Sequence, residues 1–203
     1  MSPMLASSSK NSISKLMLTL DTSSDRIAEG VIRDLLKQKE RALPLLLQAA
    51  QNKSAPRLRK WSLQALGAIG DPKAENLLIA ALADSRMTVR LHAVRGLQRM
   101  KSTKALRAVS RLIADPSGGV RSNALEFLAD VGGRTMAPVV QKALLDPKWY
   151  IRQRGCVLLG EWGVPRGGTL LRKIATTDPS KAVRVAAETA LQKRVAQSRR
   201  SKI

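Results

Sequence analysis

An aliphatic residue followed by arginine recurs along the chain at a nearly constant interval. The five copies are Leu58-Arg59, Val89-Arg90, Val120-Arg121, Ile151-Arg152 and Val183-Arg184. Successive arginines, called the signature arginines below, are separated by 31, 31, 31 and 32 residues. An aspartate precedes four of them by six residues, at Asp84, Asp115, Asp146 and Asp178. A fixed period of this length is typical of proteins built from stacked repeats, and no other feature constrains the fold as strongly.

The residues that follow each signature arginine have a helical pattern. Three positions later comes a small residue, at Ser62, Ala93, Ala124, Gly155 and Ala187. Seven positions later comes a leucine, at Leu66, Leu97, Leu128, Leu159 and Leu191. Ten positions later comes an apolar residue, at Ile69, Met100, Val131 and Trp162. Because these spacings fall on one helix face, the first helix of each unit, helix A, should pack through this face against its neighbours.

Turn residues divide each unit into two helices. Helix A should end at a glycine or a basic residue, namely Gly70, Lys101, Gly132 and Gly163, and glycine at a helix end supplies a left-handed turn. A second helix, helix B, should end at the recurring aspartate, because a proline that cannot continue a helix follows at Pro116, Pro147 and Pro179. The pattern predicts an all-α fold, a right-handed α-solenoid of stacked antiparallel helix pairs.

The extent of the pattern sets the predicted domain boundaries. We expect a disordered leader over residues 1–10, N-terminal capping helices and an atypical repeat over 11–55, the repeats over 56–194, and a basic flexible tail over 195–203. Terminal repeats are expected to be atypical because one of their sides faces water.

Composition bears on the compartment. The chain has no apolar run of about 18 residues, so no membrane insertion is expected. Its single cysteine, Cys156, excludes an intrachain disulfide and favours a cytoplasmic protein. The serine-rich stretch 1–22 leaves open the import of a leader peptide into an organelle, although it contains no arginine.

At these recurring positions the sequence resembles the HEAT-like repeat family, in the short form named after phycobilisome lyases. The matching runs are Asp84, Val89-Arg90, Ala93 and Leu97; Asp115, Val120-Arg121, Ala124, Leu128 and Gly132; and Asp178, Val183-Arg184, Ala187 and Leu191. The resemblance covers about residues 56–194, and 25–55 more loosely. It implies that the recurring arginines and aspartates form a ladder of paired charges between repeats, and that the B helices line a concave surface. The family includes bilin lyase subunits, scaffolds and, among HEAT-like relatives, glycosylases for alkylated DNA bases, so the fold alone does not name a function.

The charge of the chain indicates an anionic partner. The formal net charge is +21, and residues 56–195 alone contain 25 lysines and arginines against 10 aspartates and glutamates. The repeats themselves therefore carry about +15, which favours a polyanion or an acidic protein as partner. Solubility alone is the alternative explanation of such a charge.

The cations outside the signature recur at fixed repeat positions. Fourteen residues after the signature arginine come Lys73, Lys104 and Arg166, with Arg134 one position away in the third repeat. Twenty-one residues after it come Arg111, Lys142 and Lys173, and Arg107 and Arg172 flank these positions. Positions seven apart share a helix face, so the spacing predicts a basic column along the B helices and hence a basic groove. An ordinary solvated helix face is the alternative.

Trp149 is an aromatic candidate for partner binding. It lies at the turn that opens the fourth unit, close to Lys148, Arg152 and Arg154. A tryptophan among cations can stack on a nucleic-acid base or anchor a protein interface. It can equally fill the seam between two repeats.

Few residues suggest catalysis. His92 is the only histidine, Cys156 follows a small-residue packing position, and no cluster has metal-ligand spacing. A glycosylase would be expected to place a carboxylate in an aromatic cleft, for which Asp146 with Trp149 is the one candidate. We therefore expect no catalytic residue, no metal and no cofactor.

These observations favour a non-catalytic scaffold whose basic concave groove holds an acidic protein, such as a subunit in assembly or chaperoning, within a larger complex or alone. The first alternative is a protein that binds the backbone of DNA or RNA. The second is an enzyme similar to a bilin lyase or an alkyl-base glycosylase.

Overall fold

The computed structural model describes residues 13–21, 24–163 and 167–200, with side chains as far as residue 193. In this part of the chain every regular element is a helix. The chain divides into two compact units, residues 1–102 and 103–203.

The first unit consists of helices joined by short turns. They are α1 (13–21), α2 (Asp25–Lys37), α3 (Lys39–Gln51), α4 (Pro56–Ile69), α5 (Glu75–Ala81) and α6 (Met87–Arg99). The A helices α4 and α6 pack on each other, α3 packs on α4, and α5 packs on α6. The helices α4 and α6 approach each other closely at two glycines, because a Cβ added to Gly67 would lie 2.2 Å from the Cα of Gly96. The small residues thus allow near backbone contact between neighbouring helices.

The second unit repeats this arrangement. Its helices are α7 (Leu106–Arg111), α8 (Gly118–Phe127), α9 (Ala137–Ala143), α10 (Trp149–Trp162), α11 (Gly167–Thr177) and α12 (Lys181–Arg200). The A helices α8, α10 and α12 pack in sequence, while α7, α9 and α11 pack against α8, α10 and α12 respectively. Leu125, Leu159 and Val183 are fully buried between them. Each unit is therefore a stack of helix pairs, and the chain has the all-α, α-solenoid fold that the repeat spacing predicts.

The predicted ends of helix A are confirmed in three repeats and displaced in one. Gly70 and Gly163 have the left-handed φ values 73° and 61°, and Lys101 has a φ of 51° although it is not a glycine. In the third repeat the left-handed residue is Gly133, with φ 55°, instead of Gly132. The cause is a π-helical turn, Leu128–Gly132, which follows α8 and delays the end of the helix.

The last helix differs from the other A helices on one face. Four residues after the signature arginine, α4, α6, α8 and α10 have the buried apolar residues Leu63, Val94, Leu125 and Cys156. In α12 this position is Glu188, which is exposed. A polar outer face is typical of a terminal repeat. The helix continues to Arg200, so the predicted boundary at residue 194 does not coincide with a helix end.

None of the described helices is long and apolar enough to span a bilayer.

Candidate functional site

Arg121 shows what the signature arginines do. Its Nε and Nη2 donate to the two carboxylate oxygens of Asp146 at 2.6 and 2.9 Å, and its Nη1 donates to the carbonyl oxygen of Asp115 at 2.9 Å. Asp146 also accepts a hydrogen bond from the Lys148 amide at 2.8 Å. Both charged side chains are buried, so the pair is bidentate and shielded from water.

The same pairing recurs one repeat further along. Arg152 donates through Nε and Nη2 to Asp178 at 2.7 and 2.9 Å, and through Nη1 to the carbonyl of Asp146 at 2.8 Å. In the first unit Arg59 pairs with Asp84. Arg121 and Arg152 thus join the turn before their own helix to the aspartate of the next repeat, while Arg59 joins the carbonyl of Ala50 in α3 to Asp84. The ladder implied by the resemblance is confirmed, and the carboxylate partner is the downstream aspartate while the upstream one contributes its main-chain carbonyl.

The ladder keeps these aspartates ionised. The hydrogen bond from Arg152 holds the pKa of Asp178 below its ordinary value and outweighs burial, which acts in the opposite direction. Burial acts to raise the pKa of Asp146, but the hydrogen bonds from Arg121 and the Lys148 amide together hold it below the ordinary value. The negative charges at these turns are therefore present but covered by arginine.

The cations predicted to bind a partner lie on the surface. In the second unit the exposed ones are Lys104, Arg107, Arg111, Arg134, Lys142, Arg172 and Lys173, and in the first unit Lys73 is exposed. Arg111 ends α7 and Lys142 is the penultimate residue of α9, so both stand at the carboxyl end of a B helix. Arg166 lies outside the described residues.

The predicted alignment of the cations on one face of helix B needs a correction. Lys73, Lys104 and Arg134 belong to 3₁₀ turns, Pro72–Ala74, Thr103–Ala105 and Gly133–Met136, that precede the B helices. A 3₁₀ turn has about three residues per turn instead of 3.6, so the seven-residue spacing does not place these residues above the later cations. The structure instead has cations at both ends of the B helices.

Trp149 lies at the surface and does not fill a seam. It begins α10 with half of its surface exposed, and its ring meets that of Tyr150 edge to face, with centroids 6.0 Å apart. Leu145, in the preceding turn, is 78% exposed. Sequence reasoning missed Leu145. The repeat register contains a signal for Leu145, because the equivalent positions have the smaller residues Ala83, Ala114 and Thr177.

The residues considered for catalysis have structural surroundings. Both oxygens of Asp146 are bound by Arg121, which leaves no free carboxylate beside Trp149. Burial lowers the pKa of His92 to about 4, with Lys60 acting in the same direction, so its imidazole is neutral at pH 7. Burial raises the pKa of Cys156 to about 12, so its thiol stays protonated and unreactive. The described residues contain no cluster of three or more metal-ligating side chains.

One open pocket, of about 640 Å³, lies between α10 and α12. Val157, Val185 and Ala186 give it an apolar lining, and Lys181 and Lys193 are the charged residues beside it. It contains no carboxylate, histidine or cysteine, and therefore no group that suggests a reaction.

Several solved structures are similar to this chain. The complex of CpcE and CpcF of phycocyanin lyase from Nostoc sp. PCC7120 is 22% identical, with 84% of this chain and 73% of that chain covered and a TM-score of 0.57. An archaeal HEAT-like repeats protein from Thermococcus onnurineus NA1 is 17% identical, with coverage of 91% and 80% and a TM-score of 0.55. A computationally designed armadillo repeat protein for modular peptide recognition is 16% identical, with coverage of 88% and 98% and a TM-score of 0.62. At these identities the likeness concerns the fold alone.

No curated protein matches the sequence. The HEAT repeats family matches three overlapping stretches, residues 13–87, 75–154 and 109–192, which together extend over most of the chain. These stretches include the helix pairs and the ladder of arginine and aspartate described above. The chain belongs to the HEAT repeat family.

Proposed function

We propose that this protein is a non-catalytic scaffold that binds an acidic protein through the cations of its B helices. A stack of HEAT repeats suits a protein-binding role, because it presents the same helix from each repeat along a continuous surface. The distribution of charge supports an acidic partner.

One observation carries the proposal: the turns hide their carboxylates and expose their cations. Asp146 and Asp178 are each 5% exposed in their side chains and bound by arginine. Arg111 and Lys142, which stand at the carboxyl ends of α7 and α9, and Lys173, which lies four residues before the end of α11, are exposed. A partner that approaches this edge of the second unit therefore meets positive charge.

The exposed cations form two rows in the second unit. Lys104 and Arg134 precede the B helices, while Arg111 and Lys142 end them, so the rows are separated by about 10 Å of helix. A cation at the carboxyl end of a helix also interacts with the helix dipole, which is a structural reason for its presence. That reason does not apply to Arg134, which precedes α9. An acidic segment that contacts both rows would explain both.

Trp149 adds an apolar anchor to this edge. It is exposed at the turn that follows Lys142, together with Leu145 and Tyr150. Tryptophan and tyrosine are enriched among residues that dominate the energetics of protein interfaces. An acidic protein with an apolar side chain among its carboxylates fits this combination better than a nucleic-acid backbone does.

A charge-reversal variant tests the proposal. Arg111→Glu/Lys142→Glu/Lys173→Glu lowers the net charge from +21 to +15. Its matched control reverses three exposed cations outside the B helices, Arg86→Glu/Lys181→Glu/Lys193→Glu, and has the same net charge. Binding of a fluorescent peptide of Asp, Glu and a single Leu is followed by anisotropy, with circular dichroism to confirm helicity.

We expect the B-helix variant to lose binding and the control to keep most of it. Equal loss in the two variants would show that only net charge matters and would contradict a binding surface on the B helices. A labelled DNA duplex is titrated in parallel between about 50 and 200 mM salt. Tighter binding of the duplex than of the peptide would favour the nucleic-acid function instead.

A further inference from the structure

Arg184 is a signature arginine that binds no carboxylate among the residues that the structure describes. Like Arg121 and Arg152, it donates through Nη1 to the carbonyls of the turn before its helix, here Asp178 at 2.7 Å and Pro179 at 3.3 Å. In the other two arginines, Nε and Nη2 then bind the aspartate of the next repeat. Within the described residues Nε and Nη2 of Arg184 have no partner.

The guanidinium of Arg184 is already held in place, and its Nε and Nη2 are called the free fork below. Its two hydrogen bonds to main-chain carbonyls match those of Arg152, which donates to Asp146 at 2.8 Å and Pro147 at 3.2 Å. The guanidinium is therefore fixed in the orientation in which Arg152 binds a carboxylate. A fixed planar fork loses little freedom when it binds a ligand, which favours bidentate binding.

We propose that Arg184 is a binding site for an aspartate or glutamate carboxylate of the acidic partner protein, which completes the ladder from outside. The chemistry of the ligand is read from the ladder itself, because the same fork holds Asp146 at Arg121 and Asp178 at Arg152. The identity of the partner as a protein rests on the proposed function. The site itself is separate from the B-helix cations and can be tested without them.

An apolar residue stands beside Arg184 at the pocket between α10 and α12. On α10, Gln153 follows the signature arginine and borders the pocket shared with α12, the helix of the repeat that supplies Asp178. Val185, the residue after Arg184, also lines this pocket. Val185 is half exposed and offers an apolar contact next to the fork.

Glu188, which is exposed, provides a control of opposite sign. It is four residues beyond Arg184, at the position where α10 has Cys156 packed in the core of the second unit. Glu188 is exposed and makes no ion pair with Arg184 in the described structure. Its negative charge should weaken the binding of a second carboxylate at this end of the unit.

The test follows the arginine side chains of the full-length protein by NMR. The probe is the blocked dipeptide N-acetyl-Asp-Pro-amide, which copies the Asp-Pro sequence of the ladder turns, and N-acetyl-Asn-Pro-amide is its uncharged control. The Nε–H signal of Arg184 is identified by its absence in Arg184→Lys. That variant keeps the positive charge but removes the planar fork.

We expect the Asp dipeptide to shift the Arg184 signal in a saturable way, while the signals of Arg121 and Arg152 stay unchanged because their forks are occupied. The Asn dipeptide should cause no shift, and Glu188→Gln should tighten binding of the Asp dipeptide. In Arg184→Lys, binding of the Asp dipeptide is followed through the backbone amide signals of α12 and should be weakened about tenfold or more, which corresponds to the lower range for a charge-assisted bidentate contact. An unchanged Arg184 signal, or equal shifts at all three arginines, would overturn the proposal.

The outcome is independent of the B-helix surface. Arg111→Glu/Lys142→Glu/Lys173→Glu should leave the Arg184 shift in place, since none of these residues contacts the fork. If that variant loses the acidic peptide while the dipeptide still binds, both proposals hold. If the acidic peptide binds normally and the dipeptide still shifts Arg184, the carboxylate site stands and the B-helix surface fails.

Discussion

Removal of one carboxylate from the ladder should cost far more stability than removal of an equally well bonded carboxylate at the surface. The perturbation is Asp146→Ala. The variant leaves the guanidinium of Arg121, whose side chain is 10% exposed, without the two hydrogen bonds at 2.6 and 2.9 Å that now satisfy it. It also removes the acceptor of the Lys148 amide. A buried charge that loses its partner typically destabilises a protein by about 3–5 kcal/mol.

The second unit contains a matched control for burial. Arg154 binds Glu126 through the same two nitrogens, at 2.7 and 2.9 Å, but these side chains are 36% and 41% exposed. Because water and salt screen an exposed pair, Glu126→Ala should cost about 1 kcal/mol or less. The two variants thus have similar bonds and differ mainly in the burial of the arginine left behind.

Urea denaturation followed by circular dichroism measures the difference. Urea is chosen because guanidinium chloride would screen the ion pairs under test. The double variant Arg121→Met/Asp146→Leu should lose less than the sum of its single variants, with a coupling of about 0.5–3 kcal/mol, because it leaves no unpaired charge. Equal losses in Asp146→Ala and Glu126→Ala, or strict additivity in the double variant, would refute the view that the ladder is a buried structural network.

Three further effects on stability can be measured by unfolding the protein. Gly67→Ala should destabilise the first unit by about 1–3 kcal/mol, because the new Cβ would lie 2.2 Å from the Cα of Gly96, whereas Gly30→Ala, with its nearest atom at 3.9 Å, should be neutral or stabilising in urea melts. Lys101→Gly should raise stability by about 0.5–1 kcal/mol, since Lys101 has a left-handed φ of 51° that glycine adopts without strain, and a fall in melting temperature would contradict this. The pKa of Asp178 is lowered in the folded protein, so the stability contributed by its pair with Arg152 is fully present above about pH 4 and is lost as the pH falls through the lowered value. Asp178→Asn should therefore flatten the acid side of the melting-temperature profile, and an unchanged acid limb would argue against the pair.

The repeat spacing predicts the fold because each unit needs its neighbours. A helix pair of this length cannot bury its apolar face alone, so a pattern with a small residue and a leucine at fixed distances from each arginine requires stacking. Leu97, Leu128 and Leu159 are accordingly buried without measurable exposure. The structural role of the signature arginines could also be predicted, because arginines recurring with aspartates at a fixed distance suggest pairing rather than a free surface.

Other features depend on geometry that spacing does not contain. The π turn after α8 moves the left-handed residue from Gly132 to Gly133, and nothing in the repeat pattern marks that insertion. The 3₁₀ turns at Lys73 and Lys104 break the seven-residue relation between the two sets of cations. Once the structure gives the first residue of each B helix, the repeat register separates the cations in the 3₁₀ turns from those in the helices. The free fork of Arg184 becomes visible only when its hydrogen bonds are compared with those of Arg152.

The proposed function requires that the B-helix cations hold an acidic protein. A competition experiment tests it directly. The labelled acidic peptide is bound to the wild-type protein at about 150 mM salt, where nonspecific attraction over longer distances is screened, and is challenged with a DNA duplex of equal total charge. We predict that the peptide stays bound when the duplex is present at the same concentration. Displacement of the peptide by an equal or lower concentration of duplex would contradict the account and assign the basic surface to nucleic acid.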